Sequence, residues 1–114
     1  MQVEIIHIPK RRCKYFTVPD DNMNDGTRTS YHKGDKIFCK EILHSAWKDE
    51  IRIGNVYLLV LPSFIKIGQI AELDFEVGKV YCQSVNPNYP DYTFKLDDVV
   101  KIYSIMKIMD RKKN

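Results

Sequence analysis

No apolar run in this sequence is long enough to cross a membrane. The longest, Val56-Tyr57-Leu58-Leu59-Val60-Leu61, falls far short of the ~18 residues a spanning helix needs. Cysteine is scarce: Cys13, Cys39 and Cys82 are odd in number and far apart, which excludes a zinc knuckle or a vicinal redox motif. Residues 1–21 contain no glycine. The opening Met1-Gln-Val-Glu-Ile-Ile-His-Ile-Pro lacks the apolar core of a signal peptide and carries Glu4. The charge excess is only +3, from 18 basic and 15 acidic residues, too mild to argue for nucleic acid by itself. The expectation is a cytoplasmic protein with free thiols, no membrane contact, no metal and no cofactor.

What is present fits one globular domain. The chain has 114 residues, 44% hydrophobic and 29% charged, enough for one core without covalent staples. Val3, Ile5 and His7 alternate with Glu4, Ile6 and Ile8 as a short strand, and Lys14–Val18 is a second β-rich run. Residues 20–35 are poor in apolar side chains and predict one long loop ending in Lys33-Gly34-Asp35, of a length that is usually functional or disordered. Lys36–Ile42 predicts a strand. His44–Asp49, around Trp47, predicts a connection with at most one helical turn. Gly54-Asn55 is a turn, and Val56–Leu61 a strand buried on both faces. Phe64–Ile67 predicts its hairpin partner, Val77-Gly78 a turn, and Lys79–Ser84 a further strand. Asn86-Pro87-Asn88-Tyr89-Pro90-Asp91 is the strongest turn cluster. After Leu96 the spacing fits helix and strand equally well, and the tail from Arg111 to Asn114 is expected to fray. Strand signals recurring every 8–15 residues predict a mainly antiparallel all-β fold.

Two stretches carry a more specific resemblance. Phe16 to Asp35 contains Met23-Asn24-Asp25-Gly26-Thr27 and ends in Gly34-Asp35. Gly78 to Tyr92 contains Ser84-Val-Asn-Pro-Asn-Tyr and is followed by Leu96-Asp-Asp-Val. In order and spacing they are similar to the peptidase-type domain of LexA-like and phage-repressor proteins, over roughly residues 14–108. Trp47 sits where one branch of that family often has a tryptophan. The resemblance implies a fold of coiled antiparallel strands, like that of LexA and signal peptidases. It also implies that Leu96–Val99 is a single turn followed by a strand, and that the domain is often dimeric through its C-terminal part.

That family uses a serine nucleophile and a buried, neutral lysine base. The serine position immediately before Met23 is here Asn22, whose amide is not a usable nucleophile. Counting back from Ser84 without a gap, the lysine position falls on Gly68, which has no base to offer. Lys66 faces the same way on a strand but lies about 6.6 Å away along it. Segment 1–21 offers no glycine for the family's self-cleavage site, and the sequence leaves no room for a DNA-binding helix-turn-helix domain. The expectation is a single domain spanning 1–114 whose peptidase is inactive. It would serve as a dimerisation, interaction or regulatory module whose partner is its twin or a related repressor. Asn22 is expected in an exposed loop beside the strand bearing Lys66 and Gly68. A homodimer is expected through the segment from Val99 to Ile108, which is rich in Ile, Met, Val and Tyr.

Other groups read as structural. Ser30-Tyr31-His32 suits a turn better than a catalytic pair, because neighbours on an extended chain point apart. Cys39 and His44 would need two more ligands from Cys13, Cys82, His7 or His32 to hold zinc. Lys10-Arg11-Arg12 with Lys14, and Arg111-Lys112-Lys113, are the basic clusters, with Tyr15 and Phe16 beside the first. They read as a solvated strand end and tail, so nucleic acid is not the expected partner. An active self-cleaving peptidase in a shifted alignment, and a small nucleic-acid-binding β domain, stand as the alternatives.

Overall fold

The computed structural model describes residues 12–111. Seven strands form one antiparallel sheet: β1 (Cys13–Thr17), β2 (Lys36–Ile42), β3 (Val56–Val60), β4 (Ile65–Asp74), β5 (Lys79–Gln83), β6 (Tyr92–Lys95) and β7 (Lys101–Asp110). A 3-10 turn over His44–Ala46 runs into the short helix α1 (Trp47–Glu50), and a second turn covers Leu96–Asp98. The fold is therefore all-β with short helical turns. Leu96–Asp98 is a single turn followed by a strand, which resolves the ambiguous segment. No described helix is long and apolar enough to cross a membrane. The expected strand at Val3–Ile8 lies outside the described residues.

The strand order is β1-β2-β7-β3-β4-β5-β6. The last strand is thus inserted between β2 and β3, and its residues 101–104 pair with β3 while Ile102 onward pair with β2. That placement explains the sequence of β3. Leu58 and Leu59 are both fully buried, yet adjacent residues on a strand point to opposite faces. Each face carries its own core. Leu59 and Ile102 pack with Ile42, Trp47, Ile70, Val80 and Cys82 on one side. Leu58 and Tyr103 pack with Val18, Met23, Ile37, Cys39 and Ile67 on the other. Each fully buried Leu or Ile contributes about 1.5–3 kcal/mol. Trp47 anchors α1 by burying its ring and donating Nε1–H to the Ile42 carbonyl at 3.0 Å.

Two expectations are corrected, and one strand was not foreseen. The partner of β3 is not a short run but the ten-residue β4, which continues past an irregularity at Ala71 to pair with β5. β6, which directly follows the 86–91 turn, is a strand that alternation over only four residues did not reveal. Arg111 is anchored rather than frayed: its guanidinium holds the buried Asp35 through Nε at 3.1 Å and Nη2 at 3.0 Å, and donates to the carbonyls of Arg28 and Ser30. The first half of the C-terminal strand is flanked on both sides, by β2 and β3.

Candidate functional site

The interesting neighbourhood forms where β5 stops short. β4 pairs with β5 only from Gln69 onward, so the Ile67 carbonyl has no strand partner on that side. A buried carbonyl needs a donor. Two side chains supply one: Asn22 Nδ2 at 2.6 Å and the Tyr92 hydroxyl at 2.8 Å. Asn22 therefore lies against β4, but it is completely buried and not exposed as expected. The polar composition of the 20–35 loop hid this. Val18 and Met23 sink into one core, while Asn22 is drawn inward to satisfy the sheet.

The asparagine amide is committed. Nδ2 also donates to Ser84 Oγ at 3.3 Å, and Ser84 in turn donates to the Pro90 carbonyl at 3.0 Å. Both neighbours therefore accept from Asn22, which fixes which end of the amide faces β4. Its Oδ1 is buried without a protein partner among the described residues. Backbone contacts hold the segment in place. Asn86 donates its N–H to the Asn22 carbonyl and its side-chain amide to the Asp21 carbonyl, each at 3.0 Å. The two stretches singled out in the sequence, 16–35 and 78–92, thus meet at this point.

Gly68 is buried under Tyr92. A Cβ built on Gly68 would collide with the Tyr92 hydroxyl oxygen, and would lie 3.0 Å from Tyr92 Cζ and 3.1 Å from Cys82 Cβ. No side chain can leave position 68 while the phenol is there. Lys66 lies beside them in an ion pair with Asp20, whose other carboxylate oxygen accepts the Asn22 backbone N–H at 3.0 Å. Its Nζ lies 2.9 Å from Asp20 Oδ2, over the rings of Tyr92 and Tyr89 at 5.2 and 5.8 Å from their centroids. So paired, Nζ is committed to the Asp20 carboxylate. Burial pushes the Tyr92 phenol up, with the Cys82 thiol and the Asp20 charge adding to it. Burial likewise pushes the Cys82 thiol up to about 11, partly offset by its hydrogen bond with Tyr92. Neither is a thiolate or phenolate nucleophile at neutral pH. Sequence reasoning missed Tyr92 altogether. Its one signal was a tyrosine two residues past Pro90 in a segment already read as a turn.

No protein-family model and no curated protein matches this chain. The remaining candidates separate. Cys39 and Cys82 lie in opposite cores, and burial pushes the Cys39 thiol up to about 12. Ser30 Oγ donates to the Thr27 carbonyl at 2.8 Å, and the His32 ring bonds the same oxygen at 2.9 Å. Both close the loop on itself. The loop carboxylates do the same: Asp21 accepts from Lys33 N–H and Asn24, and Asp25 from Thr27, which holds both carboxyls below the usual range.

Proposed function

We propose that the chain is a catalytically inactive relative of the LexA-like and phage-repressor peptidases, serving as a dimerisation or protein-interaction module. The observation that carries this reading is the Tyr92 hydroxyl seated on Gly68. The space into which a base at position 68 would project is filled, and the residue at the nucleophile position is an amide bonded to the sheet. A serine–lysine peptidase needs both groups within hydrogen-bond reach of each other. Among the described residues of this neighbourhood, no other pair offers a free nucleophile next to a free base. Ser84 Oγ accepts from Asn22 and donates to Pro90, and Lys66 is paired with Asp20.

The dimerisation half of the reading rests on β7. Among the described residues, Met106 to Asp110 have β2 on one side and no strand on the other. Met106 and Met109 are half exposed there. An open strand edge beside exposed methionines suits a second copy across a two-fold axis. Intact mass after alkaline incubation tests the first half, because raised pH favours a neutral lysine. The expected result is one uncut mass, and a discrete cleavage would overturn the reading in favour of an active self-cleaving peptidase. Light scattering tests the second half, with twice the chain mass expected and the chain mass expected for Met106→Glu.

A further inference from the structure

The face of β1, β2 and the C-terminal half of β7 carries a second surface that the inactive-peptidase reading does not use. Tyr15 pairs with Phe38 in register, and Phe38 with Lys107, so the three side chains stand in a row on one face. The Tyr15 and Phe38 rings lie 5.0 Å apart, and Tyr15 is 53% exposed. Lys36, Phe38 and Lys40 alternate along β2, which spaces them about 6.6 Å apart on that face. Lys36 Nζ stands 4.8 Å above the Tyr15 ring. Asp110 stands opposite Lys36, and Glu50 lines one cavity with Lys40. Even so, Lys36, Lys40 and Lys107 form no ion pair among the described residues.

Three unpaired lysines therefore stand around a pair of adjacent aromatic rings. Unneutralised lysines attract phosphates, and exposed rings stack on bases of any sequence. A duplex, whose bases are already stacked, would offer the rings nothing. We infer that this face binds single-stranded nucleic acid, with Tyr15 and Phe38 stacking bases and Lys36, Lys40 and Lys107 contacting phosphates. Edge pairing through β7 leaves the face open, so this inference stands apart from the inactive-peptidase reading.

Fluorescence anisotropy with labelled oligo-dT and oligo-U, across a salt series, tests it on the full chain. Binding is expected, with a log–log salt slope of about −2 for three neutralised phosphates. Tyr15→Ala, at an exposed position, is expected to weaken binding about 5- to 150-fold, the range of one lost base stack. Lys36→Ala is expected to flatten the slope by about 0.7. Absence of binding by the unaltered chain at low salt would overturn the inference. So would undiminished binding by Tyr15→Ala, or equal displacement by polyglutamate, which would make the face a dock for acidic protein segments instead. A folded state matching the parent by circular dichroism keeps a loss in either variant interpretable.

Discussion

Replacing Gly68 by alanine is the most direct probe of the Tyr92 contact. Gly68 has no left-handed backbone conformation to protect. In an open strand position the change would therefore stabilise the chain by roughly 0.5–1 kcal/mol through lost unfolded-state entropy. Here the new methyl meets the Tyr92 hydroxyl oxygen and lies 3.1 Å from Cys82 Cβ. Cys82 is on a paired strand and cannot retreat, so the phenol must move. Overpacking of this kind costs about 1–3 kcal/mol. The displaced hydroxyl also gives up its bond to Ile67, worth about 1 kcal/mol. The net expectation is a loss of about 2 kcal/mol. At roughly 4 °C per kcal/mol for 114 residues, Tm falls by about 8 °C. Tyr92→Phe alone should cost only about 1 kcal/mol, because Asn22 still serves the Ile67 carbonyl. Combining the two removes the oxygen but leaves Cζ close, so the pair should fall short of additivity by at least about 0.5 kcal/mol. Scanning calorimetry of the four proteins decides. A Gly68→Ala chain as stable as the parent would refute the claim that the phenol occupies this space.

Arg111→Ala should destabilise the chain by about 2–3 kcal/mol, read by urea titration, because it strands the buried carboxylate of Asp35 without its partner. Native thiol titration should find Cys13 reacting first and Cys39 and Cys82 reacting only on unfolding, since burial raises both pKa values. Stability should fall above about pH 9. A thiol whose folded pKa is raised contributes fully below its unfolded value. The contribution is lost as pH climbs toward about 11 for Cys82 and about 12 for Cys39. At the acid end, the lowered carboxyls of Asp21 and Asp25 contribute above the ordinary carboxylate range and cease to do so as pH falls through their folded values. Tm measured across pH checks both limbs.

The sequence announced strands wherever side chains had to satisfy two faces or one turn. Lys36–Ile42, a β-rich run that follows the Gly34-Asp35 turn, matches β2 residue for residue. The unbroken run at Val56–Leu61 marks a strand buried on both sides. Gly54 and Gly78, both at positive φ, closed the turns where expected. What stayed hidden was governed by partners distant in sequence. The inward turn of Asn22 depends on an unpaired carbonyl 45 residues away. Arg111 reads as a tail until Asp35, 76 residues earlier, is placed beside it. Lys36, Phe38 and Tyr15 were each visible, but only the β1–β2 register sets them on one face.

The position of β7 has a consequence for how the chain comes to be folded. Its partners Ile42 and Leu59 both pair with Ile102, so the strand made last bridges the segments made first. Before Ile102 and Tyr103 are available, each core lacks a fully buried member. Local hairpins such as β3–β4 can form early, but the sheet cannot close until the C-terminal strand slots in. Such non-local pairing places folding among the slow β topologies, on the order of milliseconds to seconds. On a ribosome, the β1–β2 and β3–β6 segments would wait with unsatisfied edges for their shared central strand. During that interval the chain is most exposed to aggregation and to chaperone capture.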